Sequence, residues 1–149
     1  MVLRQTASVT IILALGLSGC AALPRGRDRI VKATPHCVDQ TVQIYFEPES
    51  AEVTKEGRAV LAAAASQAKP CKVASVDVLG LADAAGAPAA NLELSKRRAQ
   101  SVTAALAAVG LPAGDFKVSA AGQAGAVTAD GKAQPLRRRA DVVLHMTAR

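Results

Sequence analysis

The sequence predicts an α+β domain in which two helices pack on one mixed sheet, with elements in the order β-α-β-α-β-β. Three observations predict it. Short runs rich in β-branched residues alternate with stretches whose apolar residues recur at helical spacing. Both helical stretches carry start or stop signals. Gly and Pro punctuate the joints between them.

Residues 41–46 (Thr41, Val42, Gln43, Ile44, Tyr45, Phe46) alternate and form the first strand. Thr54 is an N-cap for a helix running to Ala68, with Val60, Leu61, Ala64, Ala65 and Ala68 on one face, and Pro70 stops it. Residues 73–79 read as a buried strand ending at Gly80. Residues 83–90, with Gly86 and Pro88, read as a small-residue loop. The second helix is expected from about Leu92 to Val109, with Leu94, Ala99, Val102, Leu106 and Val109 as its apolar stripe. Gly110 and Pro112 end it. Residues 116–120 form a third strand, 121–137 a long Gly/Ala-rich loop, and 141–146 the closing strand.

A chain of 149 residues fits one ordinary domain. Half of it is apolar, but much of that is alanine and only Tyr45, Phe46 and Phe116 are aromatic. Small side chains bury little area each, so a Val/Leu/Ala core of modest stability is expected. The formal charge of +6 suits an anionic partner. Three aromatics are too few for stacking platforms on single-stranded nucleic acid, so nucleic acid is disfavoured.

The first 19 residues carry one charge, Arg4, followed by an apolar run at 9–17. That run is too short to span a bilayer but suits the core of a cleaved signal peptide. It leads into Leu17-Ser18-Gly19-Cys20, which resembles the lipobox of bacterial lipoproteins. The resemblance implies cleavage after residue 19 and acylation of Cys20. Ala21 resembles the outer-membrane sorting pattern, which implies a domain facing the periplasm. Residues 20–36 hold Pro24, Gly26, Pro35 and the basic residues Arg25, Arg27, Arg29 and Lys32, and read as a flexible tether. The folded domain is expected over 37–149. In an oxidising compartment Cys37 and Cys71 are expected to form a disulfide, because each just precedes a strand of one βαβ unit. A metal pair with His36 is the rival reading, and a poor ligand set.

One segment is more specific than the rest. Residues 91–106 match N-x2-L-S-x2-R-A-x2-V-x3-L through Asn91, Leu94, Ser95, Arg98, Ala99, Val102 and Leu106. This is similar to the signature of OmpA-like peptidoglycan-binding domains, in the branch of peptidoglycan-associated lipoproteins. The likeness extends from Tyr45-Phe46 through Gly80 and Asp83 to residues 136–142. It implies noncovalent binding to the diaminopimelate of the peptidoglycan stem peptide, tethering membrane to wall. Asp83 would take the ligand's ammonium and Arg98 its carboxylate as a fork. Asn91, Ser95, Arg98 and Val102 share one helix face. A helix N-terminus near residues 92–94 would add positive potential. Leu81, Asn91, Arg138 and Arg139 are candidate secondary contacts. Left to the residues alone, Asp83 and Arg98 could equally be a surface ion pair.

The chain departs from the family where Gly-His-Thr-Asp reads Gly80-Leu81-Ala82-Asp83, and where Asn-Arg-Arg reads Arg137-Arg138-Arg139. The Gly-x-Gly-Glu run is only echoed by Gly122-Gln123-Ala124. The competing expectation is therefore a degenerate pocket serving protein interaction, or an accessory role in an envelope complex. No cofactor, metal or catalytic constellation is expected: the histidines are His36 on the tether and His145 on the final strand, and with Cys20 acylated and Cys37 and Cys71 paired no thiol nucleophile remains.

Overall fold

The computed structural model describes residues 36–111 and 115–149. The signal segment, Cys20 and the tether up to residue 35 lie outside the described residues. The elements run β1 (Gln40–Tyr45), α1 (Lys55–Ala68), β2 (Lys72–Gly80), α2 (Pro88–Ala108), β3 (Phe116–Ala120), a 3-10 turn (Pro135–Arg137) and β4 (Arg139–Thr147). The expected order and the α+β class hold. The sheet order is β1-β4-β2-β3, with β4 antiparallel to both neighbours and β2 parallel to β3. Strand β4 alone therefore runs against the other three. The C-terminal ends of β1, β2 and β3 meet the start of β4 at one end of the sheet, and every loop that carries candidate ligand residues lies there.

Alternation sorts each strand into two faces. Ile44, Val76, Val78, Val142 and Leu144 point into a core shared with Leu61, Ala65, Val102 and Leu106 of the helices. Thr41, Gln43, Asp77, Lys117, Asp141 and His145 alternate with them on the opposite face, which is polar and partly to fully open. Thr54 caps α1 as expected, its hydroxyl accepting the Gly57 N–H at 3.0 Å. Val60 and Val109, expected on the buried stripes, are instead 42% and 37% exposed. They sit at the margins of faces already filled by alanine and leucine.

The second helix starts one turn earlier than expected, at Pro88 rather than Leu92. Proline at the first helical position needs no N–H partner and has its φ already set. The Asn91 N–H already closes onto the Ala87 carbonyl, so the free amides belong to the turn before Asn91, not to residues 92–94.

Two devices set the packing. Gly80 lets α2 lie against β2: a Cβ there would meet the Ser95 carbonyl oxygen at 1.9 Å. At the other end Cys37 and Cys71 are joined, with Cα atoms 5.6 Å apart and a separation of 34 in sequence. This bears out the expected disulfide and leaves neither sulfur as a thiolate for the rival metal pair. Because β1 and β2 run the same way, their first residues come together at this end. Closing a loop of that length contributes about 3–4 kcal/mol on the chain-entropy model.

His145 sits on the open face between two carboxylates, its Nδ1 2.7 Å from Asp39 and its Nε2 3.3 Å from Asp77. The hydrogen bond to Asp39, then that to Asp77, raises the His145 pKa above 6.5. The same imidazole lowers that of Asp39 below 3.8, helped by the Met146 N–H. A group whose folded pKa is raised stabilises fully below its unfolded value and loses that as pH rises through the folded one.

Three outcomes are expected in urea unfolding followed by circular dichroism. Gly80→Ala lowers stability by about 2–3 kcal/mol or more, since backbone must shift. Reduction of the disulfide costs about 3–4 kcal/mol. Wild-type stability declines as pH rises through the raised His145 pKa, and His145→Gln removes that decline.

Candidate functional site

Arg98 leaves α2 from the face that Asn91, Ser95 and Val102 share, and all four are buried. Its guanidinium is wholly enclosed. Nε donates to the Ser50 carbonyl at 2.8 Å, Nη1 to Leu81 at 2.9 Å and Nη2 to Glu47 at 3.2 Å. The Phe46 ring lies against it, 5.1 Å from ring centre to the guanidinium carbon. One side chain thus ties α2 to the β1–α1 connection and the β2–α2 loop. Burial lowers the Arg98 pKa, the charge of Asp83 opposes this, and Arg138 and Arg97 add to the lowering. None of the described carboxylates reaches Arg98 as an ion pair.

Two of the carbonyls that Arg98 holds, those of Glu47 and Ser50, belong to a tight turn. The Ser50 N–H donates to Glu47, and Glu49 between them takes a left-handed φ of 55°. A left-handed glutamate costs roughly 1 kcal/mol, and Arg98 fixes the turn from beneath by gripping both its ends.

Asp83 is not bonded to Arg98. Its Oδ2 accepts from Arg138 Nη1 at 3.0 Å and its Oδ1 from the Ala85 N–H at 3.3 Å. Asn91 donates to the Asp83 carbonyl at 3.2 Å and to Gln123 Oε1 at 2.8 Å, joining the β2–α2 loop to the loop after β3. That second loop docks through Gly122, whose N–H donates to Ser95 Oγ at 3.0 Å and whose carbonyl accepts from Ala82. Gly122 is left-handed (φ 53°), and a Cβ would press on the Leu92 backbone at 3.3 Å.

Between the Glu49 turn, the β2–α2 loop and the first turns of α2 opens a recess of about 310 Å³, its polar lining supplied by Glu49, Asp83, Asn91 and Arg97. Ala90, in the first turn of α2, also borders it, so the helix N-terminus opens here although it begins earlier than expected. Asp83 and Asn91 therefore meet at the recess, Arg138 joins them through its bond to Asp83, and Arg98, enclosed with its three carbonyls, does not line it. Leu81 takes part through its carbonyl alone, since its side chain is fully buried. Arg139 is not brought in: it pairs with Asp141 at 2.6 Å on the polar face of the sheet, and that bond raises its pKa. Leu81 and Ala82, which replace the family's histidine and threonine, are both core residues at 0% exposure.

Sequence reasoning missed Arg97 and Glu49. Arg97 stands at a variable position of the signature, and only helix phase places it on the rim. Glu49 carries no local signal; its turn exists because Arg98, 49 residues later, holds it. Among the described residues, no three of His, Cys, Asp and Glu cluster as a metal ion would need.

Residues 45–140 match the family model described as the OmpA family. The chain is 28% identical over 136 residues to Outer membrane protein A of Bordetella avium, covering 87% of this chain and 70% of that one. It is 30% identical over 127 residues to the probable lipoprotein YiaD of Escherichia coli, covering 83% of this chain but only 54% of that one. Among solved structures it resembles the cell wall anchor of the T6SS from Pseudomonas aeruginosa, with a TM-score of 0.60, 25% identity and coverage of 73% and 82%. The peptidoglycan-associated lipoprotein from Burkholderia pseudomallei shares the fold, with a TM-score of 0.56, 24% identity and coverage of 68% and 87%.

The buried arginine and its exposed neighbour should separate cleanly. Arg98→Ala strands three carbonyls at roughly 1–3 kcal/mol each, so a loss of at least about 3 kcal/mol is expected, and Arg98→Lys recovers little of it. Arg97→Ala leaves the urea midpoint almost unchanged.

Proposed function

The chain belongs to the OmpA family, and on that premise we propose that it is an outer-membrane lipoprotein that holds peptidoglycan noncovalently through the diaminopimelate of the stem peptide. Cys20 carries the lipid, the tether spans outward, and the domain works in the periplasm. Binding, with no bond cleavage, is the task of the site.

One observation carries this reading. The recess is lined by both a carboxylate, Asp83, and a guanidinium, Arg97, and the residue after Arg97 is the buried Arg98, which has no carboxylate partner among the described residues. The free end of diaminopimelate bears an ammonium and a carboxylate on one carbon, the complement of that arrangement. A carboxylate has about four acceptor sites, so Asp83 takes the ammonium while keeping Arg138 and Ala85. The ligand carboxylate meets Arg97 at the rim and the field of Arg98 beneath. Arg98 has five N–H donors and commits three to carbonyls. Two N–H groups remain, but the side chain is fully buried, so a fork from it onto the ligand requires one of the loops that cover it to move. Asn91 and Arg138 position Asp83.

The alternative of a degenerate pocket rested on the lost histidine and threonine. With Leu81 and Ala82 in the core, the polarity of the recess comes from Glu49, Asp83, Asn91 and Arg97 instead. An altered stem-peptide preference follows more naturally than loss of binding.

The test is a calorimetric titration of residues 20–149, carrying Cys20→Ser, with a diaminopimelate muropeptide and a lysine-type control. Saturable binding is expected, weakened about 10- to 100-fold by Asp83→Ala and by Arg97→Ala, the range for a charge-assisted hydrogen bond. A well-folded wild type that ignores the muropeptide would sink the proposal. For the anchor, palmitate labelling in cells is expected to mark the chain and to disappear with Cys20→Ser.

A further inference from the structure

The end of the domain opposite the ligand recess has its own chemistry. A second hollow of about 490 Å³ opens there, floored by Ala65, Ala68, Val73 and Leu111. Its polar rim is Lys69, Lys72 and Arg149. Arg149 is held in place, its Nε donating to the Cys71 carbonyl at 3.1 Å. None of the three is in an ion pair with a carboxylate among the described residues. Asp39, which precedes β1, is occupied by His145 and the Met146 N–H. The feature is thus an apolar floor ringed by three cations that have no side-chain carboxylate partner among the described residues.

Its position in the chain matters as much as its charge. Cys71 lines the hollow and is bonded to Cys37. The 36 residues before Cys37, with their apolar run and the basic residues Arg25, Arg27, Arg29 and Lys32, therefore join the domain at this end. The ligand recess lies at the other end of the nine-residue strand β2, roughly 30 Å away.

We propose that this face, Lys69, Lys72 and Arg149 around the apolar hollow, docks on an anionic phospholipid surface. The cations take headgroup phosphates while the floor covers the glycerol and upper acyl region. The assignment rests on the lipoprotein reading, which brings this end of the domain to the membrane first. Docking holds the recess facing away from the bilayer, toward the wall. Each basic residue held at an anionic surface strengthens partition about fivefold, so the three together account for roughly a hundredfold.

The full chain is reconstituted into vesicles of phosphatidylcholine alone, or of equal parts phosphatidylcholine and phosphatidylglycerol, and amide hydrogen exchange is read by mass spectrometry. Residues 66–73 and 145–149 are expected to exchange several-fold more slowly on the anionic vesicles than on the neutral ones. Raising the salt, or the combined variant Lys69→Gln, Lys72→Gln and Arg149→Gln, abolishes the difference. Equal exchange on both vesicles overturns the proposal. So does protection that survives the triple variant, which would assign the attraction to the basic tether. Protection that follows protein density rather than lipid charge would assign the face to a second copy, and also overturns it. Association with neutral vesicles reads the anchor separately. If it fails, the lipoprotein reading falls, and docking is still decided by whether association with anionic vesicles depends on the three cations.

Discussion

A guanidinium buried without a carboxylate partner is the constraint around which one end of this domain is organised. Arg98 meets the cost of burial with three carbonyls and an aromatic face, and those carbonyls come from two loops far apart in sequence. Removing the side chain would unfasten the Glu47–Ser50 turn and the β2–α2 loop together. The arrangement depends in turn on Gly80, because only a residue without a Cβ lets the Ser95 carbonyl approach so closely. A core built on alanine and valine tolerates this close approach of helix to sheet, and the same small residues leave little buried area to spare.

The polarity of the fold follows from a single reversed strand. With β1, β2 and β3 pointing one way, the ligand recess collects at their C-terminal ends and the disulfide at their beginnings. The recess mixes charges of both signs, whereas the disulfide end presents cations over an apolar floor. The proposed tether between bilayer and wall would need one end for a zwitterion and one for the membrane, and the direction of the strands places two chemically different ends at opposite sides of the sheet.

Much of this was legible in the residues. Alternation at 41–46, the Thr54 cap and the pairing of the cysteines all stand, and the strand read as buried at 73–79 forms but is buried on one face only. So does the signature at 91–106 stand, because each of its fixed positions is a buried contact: Asn91 and Ser95 tie in neighbouring loops, and Arg98 adds the turn before α1. What was not legible was long-range. Pro88 reads as a loop residue by composition, yet opens the helix. Arg138, just before the last strand, reaches back across 55 residues to take the Asp83 carboxylate that was expected to stand beside Arg98. Arg139, next to it, turns to the other face of the sheet, since neighbouring residues in a strand point oppositely. Arg97 and Glu49 line the recess through helix phase and a turn held from outside, and neither leaves a local mark.

The central claim is that a zwitterionic amino-acid end enters the recess beneath Glu49, Asp83 and Arg97. It is tested most directly by nitrogen-edited NMR of the domain titrated with meso-diaminopimelate. The account predicts saturable shifts confined to the amides of Glu49, Asp83, Ala85, Gly86 and Ala90, with the Arg97 side-chain resonance moving alongside them and the Cys71 end silent. Shifts clustered elsewhere, or none up to ligand concentrations at which the folded spectrum is still intact, would contradict it.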